Sequence, residues 1–139
     1  MNYEMLDFYL RMTNLLVVAL LFGGMFLFSG GFAAFLFRHL PPADARMLIR
    51  KVFPPFYLFV IVSSGLAAGI SVMSDSFSAK WLAVVMLSAI AARQLLMPAI
   101  NRATDLGNKK RFVWLHGFSV LLTLGHIVVA AMVLLHMTN

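Results

Sequence analysis

The sequence predicts an all-α fold: an integral membrane four-helix bundle, antiparallel, with both termini on the outer side (N-out/C-out). Three observations predict it. Charged residues make up 12% of the chain and hydrophobic residues 62%, against about 25% charged in an ordinary soluble domain. Four apolar runs, each long enough to cross a hydrocarbon core of ~30 Å, alternate with short polar stretches. The basic residues Arg38, Arg46, Arg50, Lys51, Arg102, Lys109, Lys110 and Arg111 fall in the first and third of those stretches, whereas only Arg11 and Lys80 fall on the other side. The positive-inside rule then puts the first and third loops in the cytoplasm and both termini in the periplasm of a bacterial inner membrane. Residues 1–139 read as one membrane domain with spans at about 12–37, 52–74, 81–100 and 112–136.

The first span carries no charge from Met12 to Phe37, and Tyr3, Phe8 and Tyr9 before it suit the headgroup level. Glu4 and Asp7 precede Arg11, and no small-residue cleavage site follows, which favours a retained helix over a signal peptide. Gly23-Gly24 recur as Gly30-Gly31, placing small residues on one helix face where a neighbour can approach closely. The loop that follows opens with Pro41-Pro42-Ala43-Asp44, a sequence suited to starting a helix. The second span begins near Pro54-Pro55, which are tolerable in a first turn and kink a helix when deeper. Its Gly65-x-x-x-Gly69 is a second packing motif.

A short turn at Met73–Lys80 makes spans two and three antiparallel neighbours. The third span holds Arg93, with Gln94 beside it. An Arg inside a bilayer costs roughly 2.5–3.5 kcal/mol on insertion scales, so it either snorkels, bonds interior carbonyls or contacts an anion. Pro98 bends or ends that helix near its exit.

On the fourth span His116, Ser119, Thr123, His126 and Ala130 step by three or four residues and fall within an arc of about 80°. This face is the one that points inward. His116 and His126 are ten residues apart, roughly 15 Å in height, so they cannot share one metal ion. His39 lies at the level of His116. For His126 the spans offer no histidine, carboxylate or cysteine, only hydroxyls such as Ser63, Ser64 and Ser88, with Met25 and Met86 as soft alternatives.

Several function classes drop out. There is no cysteine, hence no disulfide, thiolate site or covalent haem attachment. All five acidic residues lie in termini or loops, and no metalloprotease, phosphate-loop or nucleophile-elbow motif occurs. No catalytic residue is assigned, and the chain reads as a non-enzyme. Its +6 net charge reflects topology and contact with anionic lipid at Arg46, Arg50, Lys51, Lys109, Lys110 and Arg111, not nucleic acid.

Arg111-Phe112-x-x-Leu115-His116-x-x-Ser119, preceded by Met97-Pro98-x-Ile100-Asn101, resembles the end of a four-helix membrane family. That family includes bacterial proteins of unknown function and the eukaryotic transmembrane protein linked to cisplatin resistance. Gly23-Gly24-x-Phe26-x-Phe28 and the proline-containing loop are also similar to the copper-resistance-D group. The resemblance implies fold and membrane location. The haem-binding protoporphyrinogen oxidases share the size and span count, but carry an early histidine where this chain has Arg11, Thr13 and Asn14.

Three functional readings follow. The first is a small inner-membrane accessory or interaction subunit, or a small-molecule- or metal-handling factor, working with other membrane subunits or as a homo-oligomer and needing no cofactor. The second is a redox protein binding haem b or copper through His116, His39 and His126, the metal itself being unspecified. The third is a small transporter whose pathway includes Arg93, Gln94, Ser119, Thr123 and His126.

Overall fold

The computed structural model describes residues 3–139; Met1 and Asn2, at the head of the first segment, lie outside the described residues. Four helices long and apolar enough to span a membrane account for nearly all of it: α1 (Tyr3–His39), α2 (Pro42–Ser71), α3 (Ser76–Asp105) and α4 (Lys109–Thr138). They form an antiparallel ring in which α1 packs on α2, α2 on α3, α3 on α4, and α4 back on α1. The outward surface is apolar: Leu16, Leu20, Leu66, Leu87, Leu121, Val128 and Leu135 are all exposed. Such a surface suits lipid and not water. The chain is an integral membrane four-helix bundle.

The helices run past the predicted spans, and the connections are correspondingly short. Charge marks where a helix leaves the apolar layer, not where it stops being helical, so Arg46, Arg50, Lys51 and Arg102 all lie on helices. Pro42 sits in the first turn of α2, and this helix start continues directly into the span. Pro54 and Pro55 therefore fall well inside α2, where neither can donate to the carbonyls of Arg50 and Lys51. The helix nonetheless stays α-helical through them.

The turn from α3 to α4 needs only Leu106, Gly107 and Asn108. Gly107 has φ +63°, a left-handed conformation that a side chain disfavours. It lets Gly107 N–H donate to Thr104 O at 3.1 Å and Asn108 N–H to Ala103 O at 2.9 Å, the paired bonds of a Schellman stop. Asn108 then caps α4, accepting from Arg111 N–H at 3.0 Å. One residue ends a helix and the next begins another.

At the opposite end Asp75 caps α3, accepting from the N–H groups of Phe77 and Ser78, each at 3.1 Å, and from the Ser78 hydroxyl. His136, near the end of α4, closes on it with Nε2 3.4 Å from Asp75 Oδ1 and its ring 4.5 Å from that of Phe77. Burial pushes the Asp75 carboxyl up, but the Ser78 and Phe77 hydrogen bonds and the His136 charge together hold it below the usual carboxylate range. A depressed carboxyl stabilises the fold above its unfolded pKa, and that stability is lost as pH falls through the folded value. Asp75→Ala is accordingly expected to cost about 1 kcal/mol at neutral pH. The difference from the parent should hold from pH 7 to about 4 and shrink below that as acid protonates Asp75, and unfolding titrations from pH 7 down to about 2 would show it.

Two helices are interrupted by π turns, at Leu27–Phe32 in α1 and Ala92–Leu96 in α3. The second has a local cause. Pro98 cannot donate to the carbonyl of Gln94 and its ring crowds that oxygen. A wider turn, in which Met97 N–H reaches Ala92 O, relieves the crowding. In the first, Ala33 N–H reaches Phe28 O across Gly30 and Gly31.

The tightest packing lies in the half of the bundle away from the basic end. Val18 and Leu21 of α1, Ala67 of α2, Leu82 and Val85 of α3 and Ala130 and Val133 of α4 have no exposed surface. The half nearer the basic end is built differently.

Candidate functional site: a cavity at the basic end

Between the helix ends that carry Arg46, Arg50 and Lys109, the bundle holds a partly open cavity of about 720 Å³ that all four helices line. That volume falls within the ~300–1,000 Å³ typical of small-molecule sites. Along α4 it reaches from Lys109 to Ile127, about 27 Å at 1.5 Å per residue. Its floor is the deep end at Thr123, Leu124 and Ile127 of α4, next to the sealed half.

The walls are mainly aromatic and aliphatic. Phe28 of the α1 π turn stacks on Phe56 with centroids 4.1 Å apart and 11° between planes, and meets Phe53 edge-on at 5.5 Å. The π turn puts Phe28, Ser29 and Gly30 on the cavity surface. Within this wall Tyr57 is 3% exposed, its hydroxyl 3.4 Å from Ser119 Oγ, a long contact at the limit of a hydrogen bond. The Thr123 hydroxyl donates to Ser119 O at 3.0 Å and that of Ser29 to Met25 O at 2.6 Å. Such bonds to a helix's own carbonyls satisfy hydroxyls without any partner.

At the rim Arg50 is already engaged: its Nη2 donates to Asp105 Oδ1 at 2.6 Å and to Asn101 O at 3.0 Å, tying α2 to the end of α3. Arg46 and Lys109 have no carboxylate partner among the described residues. No acidic side chain lines the cavity.

The histidines take three different places. His116 lines the cavity and stacks on Phe112 at 5.4 Å and 4°. His39 is exposed at the end of α1 with its ring 4.5 Å from Phe35, and it does not line the cavity. His126 is buried beside the floor, Nε2 2.8 Å from Ser88 Oγ. Ser88 donates its single proton to Val84 O at 2.6 Å, which leaves its oxygen to accept from an Nε2–H imidazole. Among the described residues no three His, Asp or Glu side chains converge to hold a metal ion.

Arg93 lies in the α3 π turn, half-buried, with Nε shielded and lacking a hydrogen-bond partner; Gln94 beside it is exposed. Neither lines the cavity. Of the glycines, Gly24 faces the Phe59 ring, where an added Cβ would come within 2.6 Å, and Gly65 faces Met86, at 2.9 Å. Around Gly23, Gly30 and Gly69 such an atom would meet nothing within 4 Å, and at Gly31 only Leu27 of its own helix, at 3.3 Å.

Sequence reasoning passed over Tyr57, Phe53 and Phe56, and read Asn101 and Phe28 only as part of a family likeness. The readable signal was the concentration of aromatics at one depth: residues 26, 28, 32, 35 and 37 on α1 and 53, 56 and 57 on α2.

No curated protein and no solved structure matches this chain. Of the segments carrying the family likeness, Met97–Asn101 lies within the part of the chain that does find a match and Arg111–Ser119 beyond it. That match covers residues 16–109, more than half of the chain, and by it the protein belongs to the family described as a domain of unknown function, DUF4149.

Proposed function

We propose that this protein is a small-molecule-handling factor of the bacterial inner membrane, without catalytic activity of its own, that holds its ligand in the cavity at the basic end. One observation carries this reading: a bundle sealed in one half is hollow in the other, with apolar walls and cationic groups at the mouth. Close packing is the rule in protein interiors, so a cavity of this size needs an occupant. The clustering of basic residues at that end supports a cytoplasmic mouth, with both termini periplasmic.

Because the chain has no cysteine, single-cysteine variants test both statements directly. Thr123→Cys, on the cavity wall, is expected to react with N-ethylmaleimide, and Ala130→Cys, in the sealed half, to react about tenfold more slowly or less. Equal protection of the two would end the cavity reading. A membrane-impermeant reagent should label Ser76→Cys in spheroplasts and Met47→Cys only in inverted vesicles. The opposite pattern would reverse the orientation.

A further inference from the structure

We infer that the ligand is an anionic amphiphile, a hydrocarbon chain behind a phosphate-type head, taken sideways from the leaflet at the basic end. This rests on the cavity being a ligand site, and three observations narrow the ligand's chemistry.

The first is charge. Arg46 and Lys109 stand at the mouth with no carboxylate partner among the described residues, and no acidic side chain lines the space between them. Two like charges facing one partly enclosed space repel, and an anion placed between them relieves that repulsion. Arg50, whose charge Asp105 already answers, positions the rim without adding to the demand.

The second is how little polar capacity lies deeper. The hydroxyls of Thr123 and Ser29 are spent on carbonyls of their own helices. The Tyr57 and Ser119 hydroxyls face each other at 3.4 Å and the His116 ring stacks on Phe112 nearer the mouth, so a polar solute descending past these three groups would lose its water for few replacement bonds. A hydrocarbon chain loses nothing there, and Phe28, Phe53, Phe56 and Ile127 offer it contact. The head therefore stays at the mouth and the chain goes in.

The third is the way in. The Tyr3–Phe26 part of α1 packs along α4, whereas its Ala33–His39 part packs on α2. Above the first π turn the seam between α1 and α4 is thus lined and not closed. Its edges, Phe26 and Phe37 on one side and Val120 and Leu124 on the other, are exposed apolar side chains that also line the cavity. In a bilayer such a gap faces acyl chains, so an amphiphile enters it with the head at the headgroup level throughout.

The test uses full-length Thr123→Cys in phosphatidylcholine nanodiscs, reading the rate of maleimide modification. Dodecyl phosphate is expected to slow modification about tenfold or more, as for a probe at ten times its Kd. Dodecyl maltoside, dodecyl trimethylammonium and inorganic phosphate should not. Arg46→Gln with Lys109→Gln in the same background should weaken affinity about tenfold, the sum of two modest ion pairs, leaving only about twofold protection at the same concentration. Arg38→Gln with Arg102→Gln removes equal charge from the same end outside the cavity and should leave protection unchanged. Equal protection by all three dodecyl compounds would overturn the anionic head while leaving the cavity reading intact. Protection by inorganic phosphate alone would overturn the chain, and equal loss in both charge variants would place binding on the surface. Failure of Thr123→Cys to react without any additive would instead remove the cavity reading itself.

Discussion

Replacing Leu82 with alanine is expected to destabilise the bundle by about 2 kcal/mol or more, the lower part of the range for buried Leu→Ala changes. Leu82 has no exposed surface and belongs to the same core as Val18, Leu21, Val85 and Val133. In lipid the outside of the protein is as apolar as its inside, so little transfer free energy is at stake. What disappears is dispersion contact, because atoms lining a new void have no partners on one side. Leu87→Ala is the matched control: Leu87 is exposed toward lipid, and its truncation should stay within about 0.5 kcal/mol. Reversible unfolding in mixed micelles measures both. If the two variants are equally stable, the sealed half is not the packed core described above.

The Ser88–His126 pair should behave asymmetrically. Ser88→Ala leaves the imidazole N–H buried without an acceptor, at a cost of about 1–3 kcal/mol. His126→Leu leaves the Ser88 hydroxyl still donating to Val84 O, so that side of the pair loses nothing. Adding Ser88→Ala to His126→Leu is then expected to cost well under 1 kcal/mol, and the double-mutant cycle reports the difference as coupling. Independent, additive effects would mean that the bond at 2.8 Å does not hold the ring in place.

Much of this architecture is legible in the chain because a membrane makes strong demands on composition. Four apolar runs of this length are met by helices, in which every backbone group finds its partner within the segment. The inward face of α4 follows from the same logic: Ser119, His126 and Ala130 are buried there, and the hydroxyl that meets His126 is one of the few the sequence offers at that depth. His116 shows what angle does not report: it shares the inward stripe and lines the cavity, yet it is exposed because the bundle is hollow at its level. Charge does not mark helix ends: the helix that Pro41–Asp44 suggests runs through Arg46–Lys51 straight into the span, and α3 continues past its apolar run through Arg102. The actual stop, at Gly107, is a matter of one backbone angle. The cavity was invisible because it is a failure of side chains to meet, and hydropathy records which residues avoid water, not whether they fill the space between helices.

The two π turns lie at similar distances from the basic ends of α1 and α3, beside the hollow part of the bundle. In a π turn an amide reaches one residue further back than in the α-helix around it. In α1, where no proline fixes its place, the bulge can therefore move along the helix by exchanging one carbonyl for its neighbour. Each passage turns the residues it crosses about the helix axis. The floor of the cavity has no such freedom, being locked by interdigitated side chains. The container is then adjustable in its α1 wall and fixed at its base.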